Sequence, residues 1–224
     1  MCGRATDTKN ELPSGLQFTL PALRDFHPRY NVAPTQPIRI LRIVAGQPEQ
    51  RYARWGLVPA FAKAELGAFP VWKFPTFNAR SEELESKPSF RHTLAGQRCL
   101  VLIDGFYEWT GTTGSKVAHY IYLPSHATSA IAGLWDHWRS KDGKREFTSC
   151  TMLTQGAGTF MRALHTREPV ILPVDRYEAW LDQADPHWRP ILGGMGPALE
   201  QYAVDGYLNH RGAEGPACIA PLHA

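Results

Sequence analysis

The chain of 224 residues is 43% hydrophobic and carries 24 basic against 21 acidic side chains, a composition typical of a globular protein rather than a disordered one. No apolar run approaches the ~18 residues of a membrane span, and the polar N-terminal segment lacks the apolar stretch of a secretory signal. We therefore expect a cytoplasmic protein without a membrane partner, whose slight excess of positive charge permits an anionic ligand without demanding one.

Strand-like patterns dominate the chain, either as alternation of apolar and polar residues or as short apolar runs. The predicted strands are 38–44, 50–57, 99–103, 105–109, 119–123, 130–135 and 147–154. Helices are fewer. One is predicted to start at Ser81 as its N-cap, and the others are 158–164, 175–183 with Asp175 as N-cap, and a short helix near 197–202. The aromatic, proline-punctuated segment 60–76 predicts a long surface loop. We predict one α+β domain over 1–224, with a mostly antiparallel, barrel-like sheet.

The N-terminus carries a reactive pair of groups if Met1 is removed, because Cys2 is small enough for that processing. Cys2 would then present an α-amine and a thiol on adjacent carbons, with reference pKa values of ~7.7–8.0 and ~8.5. The amine of such an aminothiol condenses with an aldehyde to an imine, and the thiol then closes a thiazolidine ring. The alternative is an unremarkable cysteine in a frayed terminus. The four cysteines form no C-x-x-C pair, so neither a disulfide framework nor a metal site is expected.

Three further positions carry groups suited to catalysis. Asn78 can orient a substrate by hydrogen bonds, or it can satisfy the local backbone of a capping loop. Glu108 lies among aromatic residues on a predicted strand, on the same face as Phe106. Such surroundings raise a carboxyl pKa and suit a general acid or base, and the alternative is an outward-facing residue paired with a basic side chain. His165 can move protons near neutral pH, although most of the nine histidines should be structural or exposed.

Six motifs in this order resemble the SRAP family, the SOS-response-associated peptidase domain, over nearly the whole chain. They are Met1-Cys2-Gly3-Arg4, Arg29-Tyr30-Asn31-Val32-Ala33-Pro34-Thr35, Arg54-Trp55-Gly56-Leu57-Val58-Pro59, Asn78-Ala79-Arg80-Ser81-Glu82, Gly105-Phe106-Tyr107-Glu108-Trp109 and His165-Thr166-Arg167-Glu168-Pro169-Val170-Ile171-Leu172. Each motif alone is weak, but six in the family's order are specific.

The resemblance implies a protein that recognises abasic sites in single-stranded DNA, where the ring-opened sugar is an aldehyde that Cys2 traps as a thiazolidine crosslink. It implies that Asn78 positions the N-terminus and the sugar. Glu108 would serve as acid and base in imine formation and in removal of Met1. His165 would manage protons in ring opening, crosslink reversal or strand-cleaving β-elimination. These activities belong to the peptidase and lyase classes of enzyme.

The resemblance also implies how DNA is held. The implied DNA contacts are Arg4, Arg80 and Arg167 at phosphates and the aromatic side chains of Trp109, Phe61 and Trp72. No metal and no cofactor is implied, and we expect a monomer that is nucleoid-associated if the source is bacterial. Phe61-Ala62 stands where relatives often carry an aromatic pair or Trp-Ala, so Phe61 or Trp72 would supply the stacking group. Glu168 replaces a frequent Met and would weaken phosphate attraction nearby.

Two other functions share some of these features. A class II glutamine amidotransferase also begins with Cys-Gly after Met removal and attacks an amide through the thiol. The further loop signatures and the acceptor domain of that class are not found in this sequence. A non-catalytic DNA-binding module is the third possibility, and it would need no reactive Cys2.

Overall fold

The computed structural model describes residues 2–64, 68–70, 73–112, 114–194 and 196–222. Its strands are β1 Ala5–Asp7, β2 Arg29–Val32, β3 Pro37–Val44, β4 Gln47–Trp55, β5 Asn78–Arg80, β6 Arg98–Ile103, β7 Gly105–Thr110, β8 Val117–Tyr122, β9 Ser129–Arg139, β10 Glu146–Gly156, β11 Arg167–Pro169 and β12 Glu200–Val204. Its α-helices are α1 Pro88–Leu94, α2 Thr159–Arg162, α3 Tyr177–Leu181 and α4 Trp188–Leu192. Within the described ranges, no helix has the length and apolar character needed to cross a bilayer.

Five strands close into a barrel, in the order β4, β3, β6, β9 and β10, with β10 pairing back to β4. The β10–β4 pairing is parallel, and the other four pairings of the ring are antiparallel. Beyond the ring, β10 pairs with β5 on one edge and with β11 on the other. The predicted mostly antiparallel, barrel-like α+β fold is therefore confirmed.

A second sheet of five strands, in the order β12-β8-β7-β1-β2, packs against the barrel. Residues of both sheets form one shared core, which contains Ile40 and Val101 of the barrel together with Phe106 and Ile121 of the second sheet. Cys2 belongs to this core. Cys2 is therefore held between the two sheets, because burial of apolar surface on both sides stabilises that position.

The other face of the barrel strands packs against the helices. Leu100 and Leu102 alternate with Val101 along β6 and contact this second core, to which α3 contributes Trp180 and Leu181. Strand β6 is buried along its whole length, as its apolar run from Cys99 to Ile103 predicts for a strand covered on both faces. A third core lies under β7, β8 and the C-terminal 3₁₀ turns Gly206–Asn209 and Pro216–Ile219.

The seven predicted strands are confirmed, but two helix predictions are wrong. The segment near 197–202 enters strand β12, since antiparallel pairing with β8 satisfies its backbone over Glu200–Val204. The helix predicted to start at Ser81 is a single 3₁₀ turn, Ser81–Glu83, whose N-cap position is Arg80 and which has no side-chain cap. The predicted helix at 175–183 is shorter, because a 3₁₀ turn Val174–Arg176 precedes α3. None of the described residues of the predicted loop 60–76 belongs to a helix or strand, and β5 begins after it at Asn78.

Candidate active site

Cys2 lies just before β1, which fixes its position between the two sheets. The side chain is 1% exposed, and the Sγ atom lies 3.7 Å from the carbonyl oxygen of Arg4. The same oxygen accepts a hydrogen bond from the backbone N–H of Tyr107 at 3.0 Å, which joins the terminus to β7. Asp104 adds to this anchor by accepting from Thr6 and from the backbone N–H of Thr8. Cys2 is therefore anchored through the residues that follow it, unlike a residue in a frayed end.

Strand β7 brings Glu108 to the same place. The Glu108 side chain is 4% exposed, as its predicted position on the face of Phe106 requires. Burial raises the pKa of the Cys2 thiol well above its ordinary range, and the negative charge of Glu108 raises it further. Burial also raises the pKa of Glu108 itself, while attraction to His165 acts in the opposite direction. The thiol, carboxyl and imidazole therefore form one electrostatically coupled cluster.

Asn78 reaches this cluster from the other sheet. Strand β5 pairs in parallel with β10, with Asn78 opposite Met152, and the side chain is 8% exposed. The Asn78 Nδ2 atom donates to the carbonyl oxygen of Cys2 at 2.7 Å. Among the described residues, the Asn78 Oδ1 atom has no hydrogen-bond partner. A buried amide oxygen without a hydrogen bond costs free energy. The Asn78 Oδ1 atom is therefore suited to accept a hydrogen bond from a bound ligand or from the terminal amine.

His165 lies in the turn between α2 and β11. Its Nδ1 atom accepts a hydrogen bond from the backbone N–H of Arg167 at 2.9 Å. The same Nδ1 atom lies 3.2 Å from the carbonyl oxygen of Arg167, so the tautomer of the ring decides which of the two contacts is a hydrogen bond. Glu168, the residue that departs from the family pattern, is turned into the local structure, where it accepts from Gln155 Nε2 at 2.9 Å and from the backbone N–H of Gly158 at 3.0 Å.

The three predicted phosphate contacts all have protein partners. Arg4 Nη1 donates to Asn31 Oδ1 at 2.8 Å, and this contact gives the Asn31 motif a structural role that sequence reasoning did not assign. Arg80 is largely exposed and pairs with Glu83 at 3.0 Å. Arg167 makes a two-point salt bridge to Glu82, with N–O distances of 2.7 and 2.8 Å. The positions of Arg167 and Glu82 in the sequence do not indicate that the two residues pair.

The predicted aromatic contacts have different environments. Trp109 is half-buried, and its Nε1 atom donates to Asn209 Oδ1 at 3.1 Å. Phe61 is 53% exposed and lies edge-on to His92, with ring centroids 6.1 Å apart. Trp72 lies outside the described residues. Sequence reasoning missed Phe69 and Phe74, which are also exposed in the loop that follows Phe61.

Comparison with known proteins supports a common origin. The model of the family described as SOS response associated peptidase (SRAP) matches residues 1–210. The chain is 35% identical to abasic site processing protein YoqW of Bacillus subtilis (strain 168), over 87% of each chain. It is 31% identical to abasic site processing protein HMCES of Gallus gallus, over 75% of this chain and 56% of that relative.

Solved structures agree with these matches. A protein from Bordetella bronchiseptica superposes with a TM-score of 0.72 at 27% identity, covering 91% of this chain and 100% of that one. A protein from Bacteroides thetaiotaomicron superposes with a TM-score of 0.73 at 23% identity, over 86% and 85% of the two chains, which shows the shared fold. With the family model matched along most of its length, this chain belongs to the SOS response associated peptidase (SRAP) family.

Proposed function

We propose that the protein captures abasic sites in single-stranded DNA by forming a thiazolidine crosslink through Cys2. The observation that carries the proposal is the hydrogen bond from Asn78 to the Cys2 carbonyl at 2.7 Å, which holds Cys2 beside Asn78 and within the electrostatic influence of Glu108. Family membership supports it, because the relatives YoqW and HMCES are named abasic site processing proteins. DNA is then the partner, and the exposed side chains of Arg80 and Phe61 suit an unpaired strand.

The reaction requires the form of the protein that begins at Cys2. The α-amine adds to the aldehyde carbon of the ring-opened sugar and gives a carbinolamine, which loses one water to become an imine. The Cys2 sulfur then adds to the imine carbon, and the thiol proton passes to the imine nitrogen. The product is a five-membered thiazolidine, and water is the only molecule released.

Each neighbouring residue has a distinct role in these reaction steps. Glu108 donates a proton to the leaving hydroxyl of the carbinolamine and accepts the thiol proton, since its raised pKa favours exchange in both directions. Asn78 holds the Cys2 carbonyl and offers its Oδ1 atom to the amine or the sugar. His165 moves protons at the sugar during ring opening and crosslink reversal. The same groups are suited to removal of Met1 and to weak strand cleavage by β-elimination.

The test is incubation with a single-stranded oligonucleotide that carries one abasic site, followed by a denaturing gel and intact-mass measurement. The expected product has lost Met1 and gained the mass of the oligonucleotide minus one water. An intact oligonucleotide should give no adduct. If the protein retains Met1 and still crosslinks, the aminothiol mechanism is wrong, whereas release of ammonia from glutamine without any DNA adduct would favour the amidotransferase function.

Replacing Glu82 by Gln is expected to strengthen DNA binding. The Arg167 hydrogen bonds lower the pKa of Glu82 to about 2, so the carboxylate is charged and competes with phosphate for the guanidinium. If Arg167 then neutralises one phosphate, the plot of log affinity against log salt should steepen by about 0.7 for single-stranded DNA. At ~0.1 M salt this amounts to an affinity gain of roughly fivefold, measurable by fluorescence anisotropy.

Glu85→Gln is the matched control, because it removes the same charge from the same segment. Glu85 pairs with Arg189, which is not among the proposed DNA contacts. Equal gains from the two variants would indicate a general effect of charge and would remove Arg167 from the binding site.

A further inference from the structure

The connection between β9 and β10 is strongly basic. We use the name basic hairpin for residues 139–146 together with the neighbouring Lys63. Five basic side chains lie here against two acidic ones, and they are Lys63, Arg139, Lys141, Lys144 and Arg145. All five are exposed, and the Arg139 side chain is 65% exposed. This density of positive charge is far above the chain average of 24 basic against 21 acidic residues.

The two acidic residues are occupied within the hairpin. Asp142 accepts from the Ser140 hydroxyl at 2.6 Å and from the backbone N–H of Lys144 at 3.1 Å. Glu146 lies 3.4 Å from the His137 ring and 3.6 Å from Arg139. Neither Lys141 nor Lys144 forms a salt bridge among the described residues, and these two ammonium groups can meet an external anion at little cost in lost contacts.

The segment 56–62 connects the candidate active site to the basic hairpin. It follows β10 and β9 outward from the site, with three hydrogen bonds of 2.8 Å along its course. These are Gly56 N to Cys150 O, Val58 N to Ser149 Oγ, and Trp138 Nε1 to Ala62 O. The exposed ring of Phe61 therefore lies in the part of the segment that reaches the hairpin.

A cavity of about 460 Å³ completes this surface where the segment meets the hairpin. Its lining includes Phe61, Lys63, Trp138, Arg139 and Lys141. An aromatic ring beside several cations is the combination that single-stranded nucleic acids bind, through base stacking and phosphate contact. An acidic protein surface would use the cations but would not need the ring.

The length of β10 sets the distance between the candidate active site and the basic hairpin. Asn78 lies opposite Met152, and the strand begins at Glu146. Six residues at ~3.4 Å each separate these positions by roughly 20 Å. Phosphates follow one another at about 3.4 Å of axial rise along one strand, so this span equals about six nucleotides of a helical strand.

We infer that the basic hairpin binds the phosphate backbone of the DNA strand that flanks the captured lesion, several nucleotides from Cys2. The inference rests on the proposed function for the identity of the ligand. It assigns to the β9–β10 connection a role in affinity and not in the chemistry at Cys2. Phe61 provides a stacking position beside the hairpin.

The test compares Lys141→Gln/Lys144→Gln with wild type on two abasic oligonucleotides. The short one has about two nucleotides on each side of the lesion and cannot span the distance to the hairpin, whereas the long one has about twelve. The variant should bind the long oligonucleotide about tenfold or more weakly at ~0.1 M salt, with a salt slope reduced by about 1.4 for two lost phosphate contacts. Its affinity for the short oligonucleotide should equal that of wild type.

The matched control is Lys9→Gln/Arg24→Gln, which makes the same change in net charge away from the hairpin and should bind both lengths as wild type does. Equal losses on both lengths, or no loss on the long one, would overturn the inference. Oligonucleotides extended on one side only then identify the flank that contacts the hairpin. If wild type crosslinks neither oligonucleotide, the proposed function is refuted but the inference about the hairpin is not. The non-covalent affinities of wild type and variant still decide whether the hairpin binds DNA.

Discussion

Replacing Cys2 by Ala should abolish the adduct that survives a denaturing gel, while most of the affinity for abasic DNA is kept. The variant still has an α-amine at its N-terminus once Met1 is removed, so it can form an imine with the sugar aldehyde. No sulfur is present to close the ring, and an open imine hydrolyses readily. The same imine promotes β-elimination, so some strand nicking is expected where intact protein gives a stable crosslink.

The control for this variant is Cys218→Ala, which removes another buried thiol from the C-terminal core. It should crosslink as wild type does. A time course on one abasic oligonucleotide, read as the crosslinked fraction before and after heating, separates the two variants. A durable adduct from Cys2→Ala would show that the thiazolidine is the wrong product.

Replacing Glu108 by Gln should slow crosslinking by about 10²–10⁴-fold, the usual contribution of a positioned acid or base. Gln has nearly the same size and can still hydrogen-bond, so DNA binding should change little. Burial raises the pKa of Glu108, and the carboxyl keeps its proton to higher pH than an exposed glutamate would. Acid-assisted loss of water should therefore decline as the pH rises through that pKa, and this decline should be missing from the pH–rate profile of Glu108→Gln.

Glu200→Gln provides the comparison for Glu108, because Glu200 lies on the same sheet, at the start of β12, and bonds to the Tyr122 hydroxyl instead of the cluster. Its rate and pH profile should match those of wild type. A Glu108→Gln variant with an unchanged single-turnover rate would remove the carboxyl from the proton-transfer steps.

The long strands of the barrel were predictable because their burial leaves a local mark in the sequence. Strand β6 is apolar after its first residue, and β3 is aliphatic apart from Pro37, Arg39 and Arg42. Short strands leave no such mark. The three residues of β5 form a strand only through parallel pairing with β10, and β12 extends only because β8 offers it an edge. These partners are distant in sequence, so a local pattern cannot reveal them.

The candidate residues can be named from the sequence, but their arrangement cannot. The aminothiol chemistry of Cys2 and the acid–base chemistry of Glu108 and His165 follow from the residues themselves, whereas the reaction steps assigned to Asn78, Glu108 and His165 rest on the family resemblance. The structure brings the four together, and the sequence does not reveal that the charge of Glu108 on β7 lies beside the Cys2 thiol. The salt bridge of Arg167 to Glu82 depends on how β11 lies beside the 3₁₀ turn Ser81–Glu83, which no spacing rule encodes.

Strand β10 holds Asn78 beside Met152 on one edge and Arg167 opposite Gly156 on the other. A one-residue insertion within β10 would turn every following side chain to the opposite face and separate these groups. The segment that carries Phe61 is joined to the barrel by only a few hydrogen bonds, and changes of its length leave the ladder intact. The segment that carries Phe61 can therefore vary in length while the pairing that positions Asn78 and Arg167 is kept.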